Sequence, residues 1–363
     1  MKILVLIAGG RAGIDFFQSL LDGHAEISQF PGIFFYDEFW LKSRNVNQSE
    51  NIAKMFINDY KHFFDSRTNL LERHNTLGKD KKSFYLVNKD LFIKHFIDLT
   101  KDKNLNQKDL LCCLNLAYSQ ASGEDLSKKK IIVLHLHHIF RIKFLNKLDF
   151  EIIYSIRDPL ANYTSVINHW FKYQGGRHIT PWSYYFNMDR FFNGLKDSIN
   201  SKKKTHVVQL EKLHTENVKV MKDFCSIFNI TYNDSMTQST FHCKKWWGDQ
   251  LSSKYLDGVN PNFENNIDRS LFFNKDIECL ETYLRIFLLK YNYPLRSNGL
   301  RYTFLKYLPF KAELKVWRDA ITSFNIKLIM SILIYWVKRV NLMNKKIHDN
   351  VNFPNPIGKK IIN

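Results

Sequence analysis

The strongest constraint on how this chain folds stands at its start. Ile3-Leu4-Val5-Leu6-Ile7-Ala8 is an unbroken apolar run. A strand with one face in water alternates polar and apolar residues; an unbroken run has both faces covered, as in a parallel sheet flanked by helices. The run enters a glycine-containing turn, Gly9-Gly10-Arg11-Ala12-Gly13, and then a helical pattern from Ile14 that puts Phe16, Phe17, Leu20 and Leu21 on one side. Six apolar residues without a small-residue cleavage site read as a buried strand rather than a secretory leader. No run of about 18 apolar residues follows, so no spanning helix is expected.

Three further strands are expected. Ile131 to His138 follows the basic run Lys128–Lys130, Phe150 to Ile156 ends at Arg157-Asp158-Pro159, and His206 to Leu210 leads into a helix near Glu216 to Phe228. Strands alternating with helices predict an α/β fold of three layers, α/β/α, with a central parallel sheet over residues 1–300. Residues 36–129 read as a helical, aromatic-rich insertion between the strand at Ile3–Ala8 and the strand at Ile131, and 301–363 as a helical C-terminal extension. Within the extension, Leu328 to Val337 is apolar and flanked by Lys327, Lys338 and Arg339. That segment reads as a core or dimer helix, or as an interfacial helix making peripheral membrane contact with Tyr335 and Trp336 at the headgroups.

Lys and Arg number 53 against 35 Asp and Glu, a formal charge of +18. Such an excess predicts an anionic partner: nucleic acid, an anionic membrane, a polyanionic glycan or a phosphorylated nucleotide. Charge does not choose among them. The five cysteines (Cys112, Cys113, Cys225, Cys243, Cys279) form no CxxC pair, and their odd number opposes a disulfide framework. They read as reduced, which points to the cytoplasm.

Two places carry chemistry. A glycine-rich turn between strand and helix aims backbone N–H groups at an anion, and Arg11 adds a planar fork suited to phosphate or sulfate oxygens. The turn spells neither Gly-x-x-x-x-Gly-Lys-Ser/Thr nor Gly-x-Gly-x-x-Gly, which disfavours an ordinary kinase or dinucleotide site; an ordinary tight turn is the plain alternative. Arg157 ends a strand where open α/β sheets bind ligands. Pro159 suits the first turn of the following helix, and Ser165 stands eight residues beyond Arg157. An arginine paired with Asp158 or a neighbour is the alternative there.

Taken together these segments resemble the PAPS-dependent sulfotransferase superfamily, whose fold is P-loop NTPase-like. Its donor loop has a basic residue, a small residue and glycine after the first strand, as Arg11-Ala12-Gly13 has here, and its 3′-phosphate motif spaces Arg and Ser as Arg157 and Ser165 are spaced. Val208-Gln209-Leu210-Glu211-Lys212-Leu213 is similar to the family's Val-x-Tyr-Glu-x-Leu strand, with Leu210 in place of tyrosine. Thr240-Phe241 and Lys245-Trp246-Trp247-Gly248 resemble the segment that closes over the nucleotide. The likeness covers about residues 1–30 and 130–255. It implies PAPS (3′-phosphoadenylyl sulfate) as co-substrate, with Gly10, Arg11, Ala12, Gly13, Ile14 and Asp15 around its 5′ side, Arg157 and Ser165 on its 3′-phosphate, and Lys245 and Trp246 beside it. Ile14 and Asp15 depart from the family, which has hydroxyl residues at those positions.

The implied reaction moves a sulfuryl group from PAPS to a hydroxyl or amine acceptor, by in-line transfer with a histidine base and no metal. His135, twenty-two residues before Arg157, lies where cytosolic members carry that base. His137 shares its face on a strand, while His138 points away. Arg11 would stabilise the leaving phosphate oxygen. A His-x-His-His metal site is a weaker reading, because no carboxylate or cysteine stands near in sequence. Asp37 and Glu38 are alternative bases, and Phe34, Phe35, Tyr36, Phe39 and Trp40 line an acceptor pocket or fill the core. The acceptor stays open among glycan, lipid, peptide and small metabolite. A degenerate sulfotransferase fold that binds a nucleotide or anionic glycan without turnover, a phosphoryl-transfer enzyme and a nucleic-acid binder are the competing classes. The last explains +18 but not the pairing of the loop with Arg157 and Ser165, so no specific nucleic-acid partner is expected.

Overall fold

The computed structural model describes residues 1–173, 181–250, 255–297, 302–322, 324–344 and 351–358. Five parallel strands form the central sheet: β1 (Lys2–Ala8), β2 (Ile27–Gln29), β3 (Ile131–His137), β4 (Glu151–Ile156) and β5 (Thr205–Gln209), in the order β2-β3-β1-β4-β5. The buried apolar residues of β1 divide between two cores. Ile3, Val5 and Ile7 enter one, and Leu4, Leu6 and Ala8 the other. Helices cover both faces, and the architecture is the three-layer α/β/α arrangement expected of a strand with no wet side.

On one face lie α1 (Ile14–Leu20), which contributes Phe17 and Leu20, and two later helices. The insertion after β2 builds the other face with α2 (Tyr36–Ser43), α3 (Ser49–Asp59), α4 (Lys61–Phe64), α5 (Lys89–Thr100) and α6 (Gln107–Ala121). Beyond β4 come α7 (Pro159–Tyr173) and α8 (Pro181–Asn200). The two helices that join α1 follow β5: α9 (Leu210–Thr215) and α10 (Asn217–Phe228). A two-stranded hairpin, β6 (Thr240–Phe241) with β7 (Lys244–Lys245), precedes α11 (Asn274–Tyr283), α12 (Arg285–Lys290), α13 (Tyr302–Leu305), α14 (Lys311–Thr322) and α15 (Ile326–Asn344).

Residues 351–358 return to the sheet. Ile357 N–H donates to the Val207 carbonyl (2.8 Å), and Phe353 and Ile357 enter opposite cores. Phe34, Tyr36 and Phe39 are buried in an aromatic cluster with Phe30, Phe56 and Phe63, so they fill the core instead of lining an acceptor pocket. All five cysteines are free. Among the described residues no helix is long and apolar enough to cross a membrane.

The sheet order decides where a ligand site can form. From β1 the chain runs to β2 and back to β3 on one side, then crosses to β4 and β5 on the other. The reversal lies at β1, where helices on opposite faces leave a crevice outside the strand ends. The turns after β1, β3 and β4 therefore converge, and these carry Arg11, the histidines and Arg157.

Burial also governs several histidines. It pushes His62 down to about 4, His74 to about 3, His214 to about 4 and His242 to about 4. In the unfolded chain each titrates near 6.5, so below that pH unfolding takes up a proton that the fold refuses. Each of these four contributes stability that is complete above about pH 6.5 and is lost as pH falls toward the lowered value. The expected outcome in an imidazole NMR titration is that the His74 ring signals stay unshifted through pH 6.5 and still report the neutral form at about pH 5. A His74 midpoint near 6.5 would contradict the burial seen here.

Candidate active site

The turn after β1 is built from left-handed residues. Gly10 has φ 92°, Arg11 φ 49° and Gly13 φ 81°. At Gly13 the need for glycine is also steric, since an added Cβ would come 2.4 Å from Leu210 Cδ1. Neighbouring elements hold the turn from outside. Ser155 of β4 donates to the Ala12 carbonyl (2.5 Å), Asn162 of α7 to the Gly10 carbonyl (2.9 Å), and Arg190 of α8 to the Ala8 carbonyl (3.3 Å). The loop is thus clamped by β4, α7 and α8.

Arg11 reaches across to α7, its Nε donating to Ser165 Oγ at 3.4 Å, while Nη1 pairs with Asp249 Oδ2 at 2.5 Å. Arg157 ends β4 with its Nε donating to Asn265 Oδ1 (3.1 Å) and its guanidinium 5.9 Å from the Phe263 ring centroid. It forms no ion pair among the described residues. Asp158, its neighbour, is committed elsewhere: Oδ1 caps α7 through Leu160 N–H (2.9 Å) and Oδ2 pairs with Arg296 (2.7 Å). Glu211 binds Asn265 (2.7 Å), the Asp158 N–H (2.8 Å) and the Tyr293 hydroxyl (3.0 Å), and so faces Arg157 through an amide. Burial lowers Arg157 from its ordinary value, Glu211 opposes that shift, and the nearby charge of Arg11 adds to it. Two guanidiniums close enough to repel each other are what an anion between them would relieve. Beside them lies a partly open pocket with about 450 Å³ of empty space, lined by Arg157 and Ser155 and walled by Leu195, Phe287 and Phe353.

A hydrogen-bond chain orders the histidines. Gln18 of α1 donates its amide N–H to the Phe30 carbonyl (2.8 Å), which turns its Oε1 toward His135. His135 Nδ1 lies 2.8 Å from that oxygen and must donate to it. Its Nε2 is then a bare lone pair, 3.3 Å from His137 Nδ1, so His137 donates there and keeps its own Nε2 free of a proton. His135 is fully buried, whereas His137 is half-buried at the strand end, left-handed with φ 67°. A bulge in β1–β3 pairing between Leu6 and Ile7 accompanies that bend. Burial lowers both rings, His137 strongly, with further lowering from His135, Arg190, His138 and Arg11. His138 turns onto Phe140 and Phe35 and is pushed down to about 3 by burial.

Asp15, in the first turn of α1, lies 3.7 Å from His135 Nδ1. The fold thereby supplies the carboxylate that local sequence lacks: Asp15, His135 and His137 offer donor atoms within 4.8 Å of one another, a set able to take a divalent cation. Ile14 is buried and faces the core. Asp37 and Glu38 are both paired with Arg141, at 2.9 and 2.7 Å, and are not free bases. Lys245 pairs with Asp257 and lies over the Trp247 ring (4.1 Å); Trp246 is buried and donates to the Glu72 carbonyl (2.7 Å). Trp246 thereby touches the Glu72 segment, and the Lys245 carbonyl accepts from Gly78 N–H (2.9 Å). The Glu72 carboxyl itself is held well above the usual carboxylate range by burial and by Asp15 and Asp249. Gln18, Glu72, Arg190 and Asp249 belong to the site without any sequence motif marking them.

No family model and no curated protein matches the sequence. Among solved structures, the chain is similar to a sulfotransferase domain from the curacin biosynthetic pathway, at 17% identity and a TM-score of 0.39, over 83% of this chain and 95% of that one. A likeness that distant decides neither fold nor activity, and both rest on the chain's own residues.

Gly13→Ala tests the loop. Left-handed backbone alone costs about 1–2 kcal/mol for a residue with Cβ, and the contact with Leu210 adds to it. Denaturant unfolding is expected to show a loss at least that large; an unchanged midpoint would mean that the turn does not need glycine.

Proposed function

We propose that the chain is a sulfotransferase that takes a sulfuryl group from PAPS and passes it to a hydroxyl or amine acceptor. The observation that carries this reading is Arg157, a half-buried guanidinium at the reversal point of the sheet with no ion-paired carboxylate among the described residues, beside Arg11 and its Ser165 contact. A buried cation without a counter-ion is costly unless a ligand supplies one. A donor with phosphate at both ends suits the arrangement: Arg157 and Ser165 would hold the 3′-phosphate, and the Gly10–Asp15 turn with Arg11 the 5′ side. The donor supplies the activated sulfuryl group.

The chain's own residues supply the rest. Arg11 is held by Asp249, so it must exchange a carboxylate for the ligand's anion. Its fixed charge then favours the negative charge that develops on the leaving phosphate. His137 Nε2 is the lone pair offered for the acceptor's proton, and His135 with Gln18 fixes the tautomer that keeps it bare. A positively charged His137 is stabilised through its Nδ1–H bond to His135 and, beyond it, by Asp15. Ile14 offers no hydroxyl to the donor, which favours a second reading: a nucleotide-binding member of this fold without turnover.

Calorimetric titration with adenosine 3′,5′-bisphosphate, with AMP as control, tests the donor site. Binding is expected to require the 3′-phosphate and to weaken about ten- to a hundredfold in Arg157→Ala, the size of a lost charged hydrogen bond. Equal affinity for AMP would overturn the assignment. Product formation from PAPS and an acceptor library then separates enzyme from binding module.

His137→Ala is expected to lower transfer by about 10²–10⁴ while leaving nucleotide affinity unchanged. Because burial lowers this imidazole, the acidic limb of kcat/KM should fall below about pH 6.5. Transfer should also withstand EDTA. Loss of activity to EDTA with recovery on adding zinc would reassign Asp15, His135 and His137 as a metal site.

A further inference from the structure

We propose that α14 and α15 form a docking face that lies on an anionic lipid surface. The inference is independent of the reaction assigned above. On its inner side α15 buries Ile332, Tyr335, Leu342 and Met343. It is locked there by Arg339, which pairs with Glu313 of α14 (2.9 Å) and donates to the Lys306 and Leu308 carbonyls (2.9 and 3.0 Å). The outer side of a helix so anchored should be polar. It is not.

Ile326, Met330, Leu333, Ile334 and Val337 are exposed, and their spacing places them on one stripe. Just before the stripe, between the two helices, Phe324 is 88% exposed and held left-handed at φ 47°. Ile326 beside it is 76% exposed. A continuous apolar stripe with a projecting phenyl ring marks an interaction surface rather than scattered surface hydrophobics.

Charge selects the occupant. Between residues 302 and 344 the sequence has Lys306, Lys311, Lys315, Arg318, Lys327, Lys338 and Arg339 against only Glu313 and Asp319. The Arg339–Glu313 pair cancels internally, and the remainder is six cations to one acid. A second copy would set this net positive segment against its like, whereas an anionic bilayer would attract it while burying the stripe. Trp336, whose indole N–H donates to the Tyr307 carbonyl (2.9 Å), adds one aromatic ring suited to a headgroup layer, while Tyr335, expected there from the sequence, is buried on the inner side. With no described helix able to cross a membrane, the contact lies in the plane of the surface.

Co-sedimentation of the full chain with vesicles tests this, comparing pure phosphatidylcholine with phosphatidylcholine mixed with phosphatidylserine. Binding to the mixed vesicles is expected to exceed binding to neutral ones and to fall as salt rises. The double variant Phe324→Ser, Ile326→Ser should weaken it about tenfold or more, the loss of one well-buried apolar side chain. Circular dichroism checks its fold, and both side chains are exposed enough for it to survive. If the double variant unfolds, Phe324→Ser alone is the test. Equal binding to neutral vesicles, or none to either, overturns the proposal. So does a concentration-dependent dimer in sedimentation velocity that the same variant abolishes, which would assign the stripe to a second copy of the chain.

Discussion

Everything in this fold depends on β1 having no face for water. Its side chains alternate between two cores, Ile3, Val5 and Ile7 on one side and Leu4, Leu6 and Ala8 on the other, so helices must cover both sides of the sheet. A strand buried on both faces belongs in the middle, and a middle strand that comes first in the chain makes the path reverse around it. The glycine turn, the end of β3 and the end of β4 then open into one crevice. The site is a consequence of strand order before it is a matter of particular side chains.

Within that crevice, charge is held in tension. Arg11 and Arg157 repel each other, Asp249 occupies Arg11, and Glu72 is held well above the usual carboxylate range by burial and then by Asp15 and Asp249. Arg11 and His137 also hold left-handed backbone without being glycine, at a cost of about 1–2 kcal/mol each. Such strain persists only where surrounding contacts over-determine it, and around Arg11 the contacts from Ser155, Asn162 and Arg190 do so. An anion entering the site would relieve the repulsion and take over the role of Asp249.

Much of this was legible from the residues in order. The runs at Ile3, Ile131, Phe150 and His206 are strands within a residue or two of their expected limits, because parallel strands covered on both faces leave a signature of short apolar-rich runs, unbroken at Ile3–Ala8 and interrupted by single polar residues in the others. β2 was not legible: three residues, two of them Ser28 and Gln29, carry no such signature, and the strand exists because β3 offers it an edge. In the site, Arg11 and Arg157 could be named from their places after strands. Arg190 and Asp249 could not, since they reach the loop from 182 and 238 residues away in sequence. Contacts of that span follow from packing, not from local pattern.

The histidines mark the limit most sharply. Alternation along a strand puts His135 and His137 on one face but cannot say which presents a lone pair outward. That depends on a proton, and the proton depends on Gln18, 117 residues from His135, and on the Phe30 carbonyl that orients the amide. Spacing names His135 first and His137 next as candidate bases; in the fold His135 is fully buried and bonded at both ring nitrogens, and His137 is half-buried at the strand end. Once the amide of Gln18 is committed to Phe30, each later proton position is forced in turn. The proton positions on these two neutral imidazoles are therefore set by a backbone carbonyl in a different part of the fold.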